Sequence, residues 1–245
     1  MRFPRLLLFA ALAFAASAQV TNNRPAAGPV PEGWRLVYEQ HFDAPAALDD
    51  FVFTDPAAWR HSAAGKAFAL ELAQQSRYQP PHRSPVNIAL LAGLVLGDFI
   101  LEVDLLQTGR EYGHRDMCLF FGVQDPARFY YAHLATRTDP HAHNVFLVHR
   151  AARTNISTST TPGVNWGLEV WQKVRLERRL ADGSIRVFFN DMTTPVMTAK
   201  DTTFGAGWLG LGSFDDTGKM DNIRVWAPAE PERQRAEFFT APPRP

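Results

Sequence analysis

The amino-acid sequence predicts an all-β protein, a two-sheet antiparallel jelly-roll sandwich. Three observations carry this. Apolar and polar residues alternate with period two through most of the chain. Two pairs of β-rich runs flank Asp/Gly turns, the signature of hairpins. No stretch shows a long apolar stripe of helical period.

The elements follow in order. A first strand is expected over 34–42. Phe68, Leu70 and Leu72 alternate with Ala69, Glu71 and Ala73 in a second, and 86–91 reads as a third. Over 99–106, Phe99, Leu101, Val103 and Leu105 share one face, and Ile100, Glu102, Asp104 and Leu106 share the other. Further strands are expected at 118–123, 129–135 and 144–149. The runs 171–179 and 185–190 enclose Ala181-Asp182-Gly183-Ser184, and 208–214 and 220–226 enclose Asp215-Asp216-Thr217-Gly218. Trp34, Trp171, Trp208 and Trp226 fall on these strands and are expected in the core. Cys118, set among Met117, Leu119, Phe120 and Phe121, reads as a small buried hydrophobe.

The composition is that of a globular chain. Of 245 residues, 46% are hydrophobic and 20% charged, with 25 Lys+Arg against 25 Asp+Glu. Zero formal charge removes the simplest case for nucleic acid, which calls for a basic surface. A single cysteine forbids an intramolecular disulfide or a thiolate knot. Residues 1–18 read as a signal peptide: Arg2 and Arg5, a short apolar run, then Ala16-Ser17-Ala18 before Gln19. Residues 19–31 read as a Pro-rich linker, 32–227 as one domain and 228–245 as a loose Pro-rich tail. The expectation is a secreted or periplasmic bacterial protein, monomeric, with no membrane contact after signal cleavage.

The order of motifs resembles the concanavalin A-like lectin/glucanase superfamily. Trp34-Arg35-Leu36-Val37-Tyr38-Glu39 resembles its opening strand, and Asp98-Phe99-Ile100-Leu101-Glu102-Val103 its central one. Trp171-Gln172-Lys173-Val174-Arg175-Leu176-Glu177 with Val187-Phe188-Phe189-Asn190-Asp191 resembles its hairpin. Gly210-Leu211-Gly212-Ser213-Phe214 with Asp221-Asn222-Ile223-Arg224-Val225 resembles its closing pair. Within the superfamily the order is similar to 3-keto-disaccharide hydrolase-type and laminin G-like domains. The resemblance implies a carbohydrate partner. It leaves open an enzyme, a hydrolase or lyase on a (3-keto-)glycoside, and a non-catalytic binding or adhesion module. At 113–118 the chain reads Gly-His-Arg-Asp-Met-Cys where the keto-sugar domains carry an Asn-Ser-Gly-type turn.

The laminarinase-type motif Glu-x-Asp-x-x-Glu fails here, because Glu102 and Asp104 are followed by Gln107, which can neither donate a proton as an acid nor attack. Glu102 and Asp104 then belong to the polar face of a half-exposed strand. Histidine is the better lead, since His133, His141, His143 and His149 account for four of the eight. His133 and Tyr131 share a strand face and, with Arg115, make a proton-abstracting arrangement. His141-x-His143 on an extended segment would direct two imidazoles to one side, with Asp139 as a further metal ligand for zinc, manganese or calcium. Asp43, Asp215, Asp216 and Asp221 offer a second calcium set, or plain turn chemistry. Tyr112, Tyr130, Trp166 and Asp116 are the expected substrate contacts, the rings by stacking on sugar faces.

Overall fold

Alternation becomes sheet because each strand buries one face and presents the other. The computed structural model describes residues 27–65 and 67–239; the expected signal peptide, most of the expected linker and the end of the tail lie outside them. In chain order the strands are β1 (Arg35–Gln40), β2 (Phe51–Phe53), β3 (Trp59–Ala64), β4 (Ala67–Leu72), β5 (Asn87–Leu96), β6 (Phe99–Gln107), β7 (Asp116–Asp125) and β8 (Arg128–Ala135). There follow β9 (Asn144–His149), β10 (Thr154–Asn155), β11 (Ser157–Thr160), β12 (Trp171–Arg178), β13 (Ser184–Phe189), β14 (Met197–Lys200), β15 (Gly207–Ser213) and β16 (Gly218–Ala227).

The strands form two antiparallel sheets, the jelly-roll sandwich that the alternation predicts. One runs β11-β14-β13-β12-β6-β16-β4-β3, with β1 also on β16; the other runs β10-β9-β8-β7-β15-β5-β2. On the edge away from β6, β16 serves two partners because it is long: Gly218–Met220 pair with β4 and Ile223–Ala227 with β1. Every expected strand is present. The additional ones are short (β2, β10) or polar and alanine-rich (β3, β11, β14), so they carry little hydrophobic alternation to read.

The core lies between the sheets. Phe99, Leu101, Val103 and Leu105 of β6 meet Leu119 and Phe121 of β7 and their neighbours, as the alternation requires. Each such side chain stabilises the fold by about 1.5–3 kcal/mol. A second apolar cluster covers the outer face of the second sheet. Cys118, Phe120, Phe129, Tyr131 and Phe146 lie there, with Ala236 packed on them. The tail is therefore docked rather than loose as far as Phe239: Val95 N–H donates to Glu232 O at 3.0 Å and Ala236 N–H to Ala92 O at 2.8 Å. The Trp208 indole donates to Gln234 O at 2.9 Å. Trp171, Trp208 and Trp226 are half-buried, not in the core, because their strand phase places them outward, and Trp34, just before β1, is half-buried beneath Arg179.

Glu102 and Asp104 are each only 1% exposed, not half-exposed. Register explains it, since Arg175 lies directly across from Glu102 and Lys173 across from Asp104. Arg175 Nη1 donates to Glu102 Oε1 at 2.8 Å and Lys173 Nζ to Asp104 Oδ1 at 2.7 Å. The described end of the linker crosses this ladder: Gly28 N–H donates to Glu102 Oε1 at 2.8 Å and Arg175 Nη2 to Pro29 O at 2.6 Å.

Leu101→Ala is expected to lower unfolding free energy by about 2–5 kcal/mol in urea titrations, whereas Leu168→Ala, at a site 73% exposed, should stay within about 0.5 kcal/mol. Equal effects would contradict the assignment of the β6 inner face.

Candidate functional site

The register of β7 with β8 builds a polar cluster on the outer face of the second sheet. Cys118 pairs with His133 and Phe120 with Tyr131, and period two adds Asp116 on the same face. On its other side Cys118 faces Gly212 of β15. A Cβ at Gly212 would sit 1.8 Å from Asn87 O, so glycine is required there and Cys118 has no side-chain neighbour from that strand. The β15–β16 turn adds Asp215 and Asp216, the β6–β7 loop adds Tyr112, and the loop after β9 adds Arg153.

The contacts are specific. Asp116 Oδ2 accepts from Phe214 N–H at 2.8 Å and from the Cys118 thiol at 3.1 Å. His133 Nε2 lies 3.2 Å from the same oxygen, at an angle that makes no hydrogen bond. Asp216 Oδ2 accepts from the Tyr112 hydroxyl at 2.8 Å and from Asp116 N–H at 2.9 Å. Arg153 stacks over Phe214 at 4.3 Å and donates to His141 O at 3.2 Å. Asp116 Oδ1, both ring nitrogens of His133, the Tyr131 hydroxyl and two guanidinium nitrogens of Arg153 are buried without a hydrogen-bond partner. Such groups are rare in folded proteins and mark sites that take up something further.

Crowded carboxylates set the electrostatics. Burial, then Asp116, raises the Asp216 carboxyl to about 7. Burial and Asp116 also raise Asp215, which stands at the surface. Burial raises the Tyr112 phenol, helped by its bond to Asp216. Burial followed by Asp116 raises the Cys118 thiol. A group held protonated near neutral pH can donate to a bound ligand or release its proton to a cation.

Among the expected residues, His133, Tyr131 and Asp116 come together, and Tyr112 joins them at the rim. Arg115 does not: its guanidinium turns away to Gln107 Oε1 (2.9 Å), Gln107 O (3.0 Å) and Gly167 O (2.8 Å). Tyr130 points into the core, accepting from Phe204 N–H at 2.9 Å and donating to Asp201. Trp166 is 1% exposed against Phe189, so it offers no face to a sugar.

The expected metal set of Asp139, His141 and His143 is not assembled. The segment is a tight turn, with Asp139 N–H bonded to Ala142 O and Ala142 N–H to Asp139 O, and His143 has φ +52°. An extended His-x-His geometry is thereby lost. Asp139 pairs with His114, His141 is exposed, and His143 is enclosed. The four-aspartate set fails too: among the described residues Asp215 and Asp216 group with Asp116, not with Asp43 or Asp221. Two members of the cluster are not among the expected site residues: Cys118, which is buried as expected, and Arg153. The spacings Asp116-x-Cys118 and Tyr131-x-His133 were the available signal.

No family model and no curated protein matches the chain. Solved structures do. The carbohydrate-binding module CBM66 from Bacillus subtilis is 15% identical with a TM-score of 0.51, over 73% of this chain and 96% of that one. A galectin-like-fold protein of unknown function from Bacillus subtilis is 12% identical with a TM-score of 0.50, over 82% and 97%. The GH43 protein BlXynB from Bacillus licheniformis is 10% identical with a TM-score of 0.53, over 84% of this chain but 41% of its own. No described helix is long and apolar enough to cross a membrane. At these identities the likeness is one of fold, the two-sheet antiparallel jelly-roll sandwich.

His143 yields a pH prediction. Its Nδ1 accepts from Ala135 N–H at 3.3 Å, so Nε2 carries the proton toward Thr161 Oγ1 at 3.0 Å. Burial first, and His133 second, lower its pKa from 6.5 to about 4. The unfolded chain thus binds a proton that the folded chain refuses. Stability from this group is full above about pH 6.5 and is lost as pH falls toward 4, on the order of 3 kcal/mol. Urea titrations at pH 7 and pH 4.5 should show a smaller difference for His143→Gln than for the wild type. An unchanged difference would refute the assignment.

Proposed function

We propose that this is an exported carbohydrate-binding protein whose sugar site lies at the end of the sandwich where Tyr112, Asp215, His114 and Asp139 meet. The observation that carries it is the Tyr112 ring, half-exposed and fixed by its hydroxyl to Asp216, beside surface carboxylates and an imidazole. A fixed ring stacks on the apolar face of a pyranose, and carboxylates accept from its hydroxyls. Fold neighbours named for carbohydrate binding, CBM66 among them, support the reading. The signal-like residues 1–18 support export.

A catalytic reading, a hydrolase or lyase on a (3-keto-)glycoside, has one observation in its favour. Asp216, raised to about 7, could act as a general acid beside Asp215. His133 and Tyr131 are 3% and 0% exposed, too enclosed to touch a sugar ring, so binding is the better-supported activity.

The protein should give a signal on a glycan array, and calorimetry with the strongest oligosaccharide should show about tenfold weaker binding for Tyr112→Ala. Tyr112→Phe should retain the stacking part. Binding that ignores Tyr112→Ala would move the site elsewhere. Release of product from that oligosaccharide, abolished by Asp216→Asn, would favour the enzyme.

A further inference from the structure

We infer that Asp116, Cys118 and His133 form a zinc site, on grounds that do not depend on the carbohydrate reading. Their ligand atoms lie within 4.8 Å of one another. Two edges of that triangle are 3.1 Å (Cys118 Sγ to Asp116 Oδ2) and 3.2 Å (His133 Nε2 to Asp116 Oδ2). Ligands held at roughly 2.0–2.3 Å around a tetrahedral zinc stand about 3.3–3.8 Å apart, so small side-chain adjustments suffice.

Regular sheet geometry holds the three groups. Asp116 and Cys118 are two residues apart on β7, and His133 stands directly across from Cys118 on β8. Their exposures are 0%, 0% and 3%. The independent sign of a ligand is the set of orphaned atoms: Asp116 Oδ1 and both nitrogens of His133 are enclosed with no hydrogen-bond partner. Asp116 Oδ2 is meanwhile fixed by Phe214 N–H, which orients the carboxylate as outer-shell bonds orient metal ligands.

The donor set selects the ion. Thiolate and imidazole favour zinc, whereas calcium and manganese prefer all-oxygen sites. One carboxylate, one thiolate and a neutral imidazole around Zn²⁺ sum to zero charge, which suits an enclosed site. On binding, the Cys118 S–H bond breaks, its proton passes to solvent, and an Sγ–Zn bond forms with no change of oxidation state. Three protein ligands leave a fourth position on a tetrahedral zinc for water or a further ligand. Bound zinc would tie β7 and β8 to the β15–β16 turn through Asp116.

The test uses chelator-treated, reduced, full-length protein. Equimolar Co²⁺ is expected to give tetrahedral visible bands and a thiolate-to-cobalt charge-transfer band, both displaced by one equivalent of Zn²⁺. Zn²⁺ in excess should raise the melting temperature by several degrees, and Ca²⁺ or Mn²⁺ should not. Cys118→Ser should abolish the charge-transfer band. Asp116→Asn, which keeps an acceptor for Phe214 N–H, should weaken zinc by more than the roughly 10–100-fold typical of outer-shell losses. His141→Ala should bind like the wild type. Absence of the charge-transfer band in the wild-type protein would overturn the inference whatever the variants do. So would its retention in Cys118→Ser, or an equal response to Ca²⁺.

Discussion

The antiparallel register of β7 on β8 is the constraint on which the polar site depends. It sets Cys118 against His133 and Phe120 against Tyr131, and it sends Met117, Leu119 and Phe121 to the core. A slip of β7 by one residue would turn Asp116 and Cys118 toward the core, away from His133, and Leu119 and Phe121 outward. The core and the site therefore specify each other. The apolar face fixes the register, and the register assembles the polar face.

Both sheets carry outer faces that are covered rather than simply wet, and each solves the covering differently. The first uses cross-strand ion pairs, Glu102 with Arg175 and Asp104 with Lys173, overlaid by the linker at Gly28 and Pro29. Breaking one partner there would strand a buried charge. The second uses an aromatic layer, Phe120, Phe129, Tyr131 and Phe146, closed by the returning tail. The polar cluster sits at the edge of that layer, where the β15–β16 turn brings in carboxylates. Enclosure and the concentration of negative charge are what raise Asp215 and Asp216.

Much of the fold was legible because alternation is a local property. The inner face of β6 and both hairpins follow from residues close in sequence. The site was legible in part. The grouping of His133, Tyr131 and Asp116 is legible because strand spacing places them on one face. The pairing of His141 with His143 is not legible because the Asp139–Ala142 turn, not an extended strand, carries them. Arg115 stands apart because its position just before β7 turns it toward Gln107, a choice that a spacing rule cannot see. Trp166 was read as a surface ring because its loop context is polar, yet it is packed edge-on against Phe189.

The sequence by itself determined the class of fold, the alternating core positions and the short list of polar residues able to do chemistry. These depend on local periodicity and on the chemistry of single side chains. Only the tertiary structure decided which of those residues meet. Asp116 and Asp216 are 100 positions apart and are joined by a backbone N–H and a carboxylate. Cys118 changed from an inert hydrophobe to a candidate ligand solely through its cross-strand partner. Contacts of that kind arise from register and sheet order, which the whole chain sets at once and no segment encodes alone.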